Sequence, residues 1–374
     1  MDNTRKTMQD YIASCPDYIR HNTVASALLT KPVTKEFLRG NYRTIWIIGC
    51  GSSMNGAMCA RPFIRKYLGA EVKVLAPFTF VTCEHDITDE DMVILVSQSG
   101  YSLNVLEAAE VVKQKGRRCI ALTGDLQSDL AKVCDIAADY GAGRETVGFV
   151  TRGMTTLTLF LILFAIEAGQ SVGTITAEEA AVLKEQIIAC ADVNEQVQKD
   201  WVPFFDANYR SLSGITNAYV CGVGANYGTA LEGALKISET VKIMTAAHEP
   251  EEFIHGPNLQ LTPGYTVFLI ETEPGRDRIR KIYEGTRIVT DNAYLITTDP
   301  AYTGDHVFHV SCDVPDELTP LCILPFFQLT AWKLAADLNR WEKHPLQRKM
   351  EEYVYSKSEN YSRSPFNEDT PGHH

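Results

Sequence analysis

At 374 residues and 41.6 kDa the chain is long enough for two domains, and a hydrophobic content of 45% can build sizeable cores. A formal charge of −12 and a pI near 5.3 argue against a nucleic-acid partner, which would want a basic face. Ten scattered cysteines without a C-x-x-C pair, and no apolar signal core after Met1, predict a soluble cytoplasmic protein with reduced thiols and no membrane partner.

In chain order, residues 4–40 read as helical. The run Thr44-Ile45-Trp46-Ile47-Ile48 then stops at Gly49-Cys50-Gly51-Ser52-Ser53, and a helix pattern follows from about Asn55 to Tyr67. Further strands are predicted at Val72–Ala76, Met92–Ser97, Cys119–Thr123 and Ile136–Tyr140, with helices between them. The apolar stretch Leu157 to Ala168 is too short to span a bilayer and reads as a buried helix. A charged helix runs from Thr176 to about Lys199.

The pattern then repeats. Ala218-Tyr219-Val220-Cys221 ends at Gly222-Val223-Gly224, followed by a helix pattern from about Tyr227 to Val241. Strands are predicted at Lys242–Thr245, Thr266–Glu271, Ala293–Thr297 and Val307–Val310, with a helix over Gly275–Val289. This alternation predicts α/β architecture: two doubly wound, flavodoxin-like parallel-sheet domains in tandem. The expected divisions are a helical segment at 1–40, a first domain at 41–172, a connecting helix at 173–200, a second domain at 201–340 and a C-terminal loop and tail at 341–374.

The turn Ser97-Gln98-Ser99-Gly100-Tyr101-Ser102 carries the most chemistry. It joins the carboxyl end of a buried strand to the amino end of a helix, where free N–H groups and the positive dipole end seat anions. Three hydroxyls and an amide suit a phosphate monoester without demanding a lysine. Serine is also a good N-cap, so a ligand-free capping loop is the bland alternative. The G-x-G at Gly49 could announce a dinucleotide fold, but the third glycine and the later acidic partner are missing.

Four segments together resemble the tandem sugar isomerase (SIS) domain family: Cys50-Gly51-Ser52-Ser53, the Ser97–Ser102 turn, Ala230-Leu231-Glu232-Gly233-Ala234-Leu235-Lys236, and Glu252-Phe253-Ile254-His255-Gly256-Pro257. Particular likenesses are the isomerase half of glucosamine-6-phosphate synthase and the fructosamine-6-phosphate deglycases. The resemblance implies that the first domain binds a hexose 6-phosphate and the second supplies catalytic side chains, in a homodimer with sites at the interface. By motif, Ser53, Ser97, Gln98, Ser99 and Ser102 would hold the phosphate, and Cys50, Gly51 and Ser52 would line the sugar. Lys236 joins the substrate-binding set.

Glu239 and His255 become the acid–base pair: a carboxylate to move a carbon-bound proton, a histidine to open the ring. Alone, Glu232, Lys236 and Glu239 would read as a solvated stripe on one helix face. Glu249, Glu251 and Glu252 crowd the approach to His255. A late lysine, expected on a loop that closes the site, is assigned to Lys349, with Arg348 second. Two departures stand out: Arg152 where relatives have lysine, and bulky Phe149 and Val150 in the sugar wall. About forty residues before the first copy are too few for a glutaminase domain, so ammonia channelling is not expected.

The activity implied is a deglycase releasing an amine from a fructosamine-type hexose 6-phosphate through an enediol or enolamine. An amino-sugar 6-phosphate isomerase/deaminase and a non-catalytic phosphosugar sensor are the alternatives. Neither metal nor organic cofactor is called for, since the sugar carbonyl is the electron sink.

Overall fold

The computed structural model describes residues 6–364 and 366. Ten strands form two parallel five-stranded sheets. The first holds β1 (Thr44–Ile48), β2 (Glu71–Leu75), β3 (Asp91–Val96), β4 (Cys119–Thr123) and β5 (Ile136–Asp139), in the order β2-β1-β3-β4-β5. The second holds β6 (Asn217–Cys221), β7 (Met244–His248), β8 (Thr266–Glu271), β9 (Ala293–Thr297) and β10 (Val307–His309), in the order β10-β9-β8-β6-β7. Read from its other edge, the second sheet repeats the order of the first. Both have the flavodoxin-like arrangement, in which the winding reverses between the first and third strands and opens a crevice there.

The chain divides into two compact units. Asp17–Glu185, with the described residues from Lys343 onward, makes the first; Lys6–Pro16 and Gln186–Glu342 make the second. In the first, Trp46, Ile48, Val93 and Leu95 pack one sheet face onto Val105, Ala109 and Val112 of the helix Leu103–Gln114. Burying each such side chain contributes about 1.5–3 kcal/mol, which fixes strand register against the helix layer. In the second, Tyr219, Leu269 and Leu295 pack onto Ile279, Ile282 and Tyr283.

Strand boundaries match the sequence pattern to within a residue or two, with one informative exception. β7 lies two residues beyond its predicted start and three beyond its predicted end. The preceding helix Ala225–Lys236 passes into a π-helical turn, Ile237–Val241, and Lys242 adopts a left-handed φ of 60°. The strand cannot begin until that irregular exit is complete. The helix Arg152–Val172 is longer than its apolar run suggests. It and residues Asp316–Asp337 are long and apolar enough to cross a membrane by length and composition. Their apolar windows are 78% and 89% buried, as core helices are.

Candidate functional site

The first sheet's crevice is built by two turns. After β1, Gly51 takes a φ of 56° and the chain enters the helix Ser52–Leu68. After β3, Gly100 takes a φ of 74°, and a Cβ there would lie 2.0 Å from the Ser128 Oγ. Only glycine turns the chain at that point. Ser102 then stands at the N-cap of Leu103–Gln114, yet its side chain makes no capping bond. It accepts instead from Ser97 Oγ at 3.1 Å. The Ser102 hydroxyl is therefore turned to the crevice and not to the helix end, while Ser97 Oγ and Ser99 Oγ accept from the turn N–H groups of Gly100 and Tyr101.

Cys50, Ser53, Ser97, Gln98, Ser99 and Ser102 line one cavity of about 280 Å³ in this unit. That volume is at the small end of ligand sites, and its polar lining suits a compact polar ligand. Gly51 and Ser52 are not among the lining residues: Gly51 shapes the turn, and Ser52 is buried in the first helical turn. Tyr101 turns away, donating its hydroxyl to Asp125 at 3.1 Å, so it does not close the cavity.

The lysine expected at position 349 is not at this cavity. Lys349 sits exposed on the helix Pro345–Val354 and does not line the cavity. Lys357 does, and its Nζ donates to Ser99 Oγ and Ser102 Oγ, each at 3.0 Å. The segment is pinned there by backbone pairing: Leu103 N–H donates to Ser356 O, Ser358 N–H donates to Tyr101 O, and Ser102 bridges Lys357. Ser358 Oγ and Asn360 Nδ2 both donate to Asp129. Burial holds the Lys357 amine below the usual lysine range. Burial also raises the Cys50 thiol, against the bond from Asn104 and the Lys357 charge, so the thiol stays protonated.

Sequence reasoning also missed Glu145, a buried carboxylate in the cavity wall. It accepts from Gln98 Nε2 at 2.9 Å and from the backbone N–H groups of Thr151, Arg152 and Gly153. It thus fills the anion position at the amino end of Arg152–Val172 and leaves the serine turn open. Arg152 is structural: Nε donates to Ala142 O at 2.8 Å and the guanidinium lies over the Tyr18 ring. Val150 lines the cavity as expected, but Phe149 does not.

In the second unit, Lys236 is fully buried between Glu232, at 3.2 Å, and Glu239, which it contacts closely. Burial alone would lower the Lys236 amine, but the two carboxylates outweigh it and hold it above its ordinary range. Glu239 stands within the π-helical turn, a distortion frequent at functional sites. Burial raises its carboxyl despite Lys236, so it holds a proton more readily than an ordinary glutamate.

His255 is exposed, 2.7 Å from the Glu251 carbonyl through Nδ1. A carbonyl only accepts, so Nδ1 carries hydrogen and Nε2 of the neutral ring is the free base. Glu251 is itself clamped by Arg278. Glu249 caps the helix Pro250–Ile254. Among the described residues no group of three or more His, Cys, Asp or Glu side chains is placed to hold a metal ion.

A family model described as SIS domain matches residues 41–166 and 211–284, more than half of the chain. A Clostridium acetobutylicum glutamine–fructose-6-phosphate aminotransferase (isomerizing) is 28% identical over 314 residues, 82% of this chain and 50% of that protein. The chain thus spans about half the length of that relative. Among solved structures, a Clostridium difficile 630 protein provisionally described as a phosphosugar isomerase aligns with a TM-score of 0.85 and 24% identity, covering 95% of this chain and 99% of that one. The C-terminal domain of glucosamine-fructose-6-phosphate aminotransferase from Francisella tularensis aligns with a TM-score of 0.78 and 21% identity, over 90% and 97% of the two chains. At those identities the structural matches speak to the fold alone.

Proposed function

The chain belongs to the SIS domain family, and from that premise we propose that it releases an amine from a fructosamine-type hexose 6-phosphate. The observation that carries this reading is Lys357, whose ammonium rests on the serine hydroxyls of the first unit's crevice. A cation over hydroxyls at a helix amino end is a seat for a dianion. Val147, Gly148 and Val150 give one wall an apolar surface suited to the substituent on the amine.

The proton-transfer role is assigned to Glu239, and ring opening to the free Nε2 of His255. Glu239 would take the proton from C1 of the ketoamine as O2 is protonated, giving an enaminol, and return it to C2 as the nitrogen gives up its own proton, which balances the one gained at O2. The product is an imine at C1. Water adds to that carbon, the C–N bond breaks with proton transfer to nitrogen, and amine and aldose 6-phosphate leave. The raised carboxyl of Glu239 supports this assignment, because a shuttle must return its proton as well as take it.

The deciding experiment presents the protein with a panel of phosphorylated fructosamines and amino-sugar 6-phosphates and follows free amine. Amine release with matching aldose 6-phosphate is expected from the fructosamines. Interconversion of amino sugars without release would move the reading to an isomerase. Thermal stabilisation with no turnover would make the protein a sensor. A homodimer in the cytoplasm is the expected setting: Leu346, Met350, Tyr353 and Val354 lie exposed along one face of Pro345–Val354. Sedimentation should therefore return twice the 41.6 kDa chain mass, and a monomer would refute the assembly.

A further inference from the structure

We propose that Cys312 and Cys322 are a peroxide-reactive thiol pair that closes to a disulfide within the second unit. Their sulfurs lie 3.6 Å apart. A disulfide needs about 2.05 Å, so an approach of roughly 1.5 Å forms it. Cys312 is on the loop after β10, and Cys322 is in the first turn of the helix Pro320–Asp337. The displacement needed is local to that connection.

The two thiols differ as a reactive and a resolving cysteine should. Cys312 is half-buried, whereas Cys322 is buried. The Cys312 thiol donates to Cys322 Sγ. Once Cys312 is ionised the Cys322 thiol can turn and donate to it, which lowers the Cys312 thiol, aided by the Val314 N–H, against burial and the charges of Asp313 and Asp316. Bonding to Cys190 and to Cys312, together with burial, keeps Cys322 protonated. Cys190, the third thiol here, points to Leu318 O at 3.9 Å and is buried.

The chemistry closes with hydrogen peroxide as oxidant. The Cys312 thiolate attacks one peroxide oxygen, the O–O bond breaks, and hydroxide leaves to take a proton as water. Cys312 is now a sulfenic acid. The Cys322 sulfur attacks it, the S–O bond breaks, and the departing hydroxide takes the thiol proton as a second water. Two thiols lose two electrons, and one peroxide becomes two waters.

The bond would bear on the helix that carries Lys236. Within the enclosed loop, Thr319 accepts from Asn226 Nδ2 at 2.7 Å, in the first turn of Ala225–Lys236. At the other end of that helix, Thr240 donates to Ala331 O on Pro320–Asp337. Cys322 thus sits on the helix that is joined to the start of Ala225–Lys236 through Thr319 and to the Glu239 turn through Ala331. The chemistry itself does not depend on the phosphosugar reading.

The test treats the full reduced chain with hydrogen peroxide, blocks remaining thiols and maps peptides. A Cys312–Cys322 link is expected, with a mass loss of about 2 Da that dithiothreitol reverses. In C322S the reaction should stop at a Cys312 sulfenic acid trapped by dimedone, and in C312S no link should form. Should C322S fail to fold, C322A and the wild-type map carry the same decision. Oxidation confined to exposed Cys50 and Cys83, or a Cys190–Cys322 link in place of the expected one, would overturn the assignment.

Discussion

Replacing Lys357 by alanine isolates the charge in the serine crevice. Its Nζ stands 3.0 Å from Ser99 Oγ and Ser102 Oγ, so a phosphate held by those hydroxyls would come within about 4 Å of the ammonium. At an effective dielectric of about 20, that pair is worth roughly 4 kcal/mol per unit charge. Burial already depresses the amine, which means that holding the charge there has a desolvation cost to be discounted. The net value of a charged hydrogen bond, about 2–3 kcal/mol, is the better guide. K357A should therefore weaken hexose 6-phosphate binding roughly 30- to 150-fold, with little effect on the unphosphorylated sugar. Isothermal titration with both ligands measures it. A change under about threefold, or equal loss for both ligands, would show that Lys357 is not the phosphate's partner.

Three further outcomes follow from the geometry. E239Q should bind hexose 6-phosphate as the wild type does yet release no amine; retained turnover would remove Glu239 from the mechanism. Because burial raises that carboxyl, the base form is lost on acidification at a higher pH than for an ordinary glutamate. The acid limb of kcat/KM should accordingly lie above about 4.3, and a limb at or below it would refute the assignment. K236M removes the buried ammonium shared by Glu232 and Glu239, so urea unfolding should show a loss of about 3–5 kcal/mol; a loss under 1 kcal/mol would refute a structural role for the lysine. G100A forces a left-handed φ on alanine and a clash with Ser128, and should abolish phosphosugar binding; retained affinity would show that the turn can rearrange.

Legibility tracked locality. β4, β8 and β9 were readable to the residue because each is a short apolar run closed by polar turn chemistry. The serine turn was readable for the same reason: strand, glycine and hydroxyls are contiguous. Lys357 was not. It is a lone cation in Tyr355-Ser356-Lys357-Ser358, and what makes it matter is a bridge to Ser102, more than 250 residues away. Local composition pointed instead to the basic run ending at Lys349, whose charges are solvated. Glu145 escaped likewise, because its partners are backbone N–H groups that no side-chain pattern announces. The π-helical turn at Glu239 was also hidden, since residues Ile237–Val241 continue an ordinary helical pattern.

The two copies share a topology, but the turn after the central strand differs between them. Met92 pairs with Ile45 in the first sheet and Thr266 with Ala218 in the second, so the ladder puts Glu271 where the first copy has Ser97. Glu271 is fully buried and accepts from Arg276 Nε at 3.0 Å, Arg280 Nε at 2.7 Å and Thr297 Oγ1 at 2.9 Å. Arg280 also reaches Asp299. The carboxylate stands where a bound anion would need the hydroxyl, and it carries its own cations. An added dianion would meet like charge and arginines already engaged. Glu271 thus replaces the strand-end hydroxyl of the second copy with a buried carboxylate held by its own arginines. The second copy carries instead the distorted helix exit with Lys236 buried between Glu232 and Glu239. In the same register Thr272, Glu273, Pro274 and Arg276 stand where the first copy has Gln98, Ser99, Gly100 and Ser102, so the hydroxyl-rich turn belongs to the first copy alone.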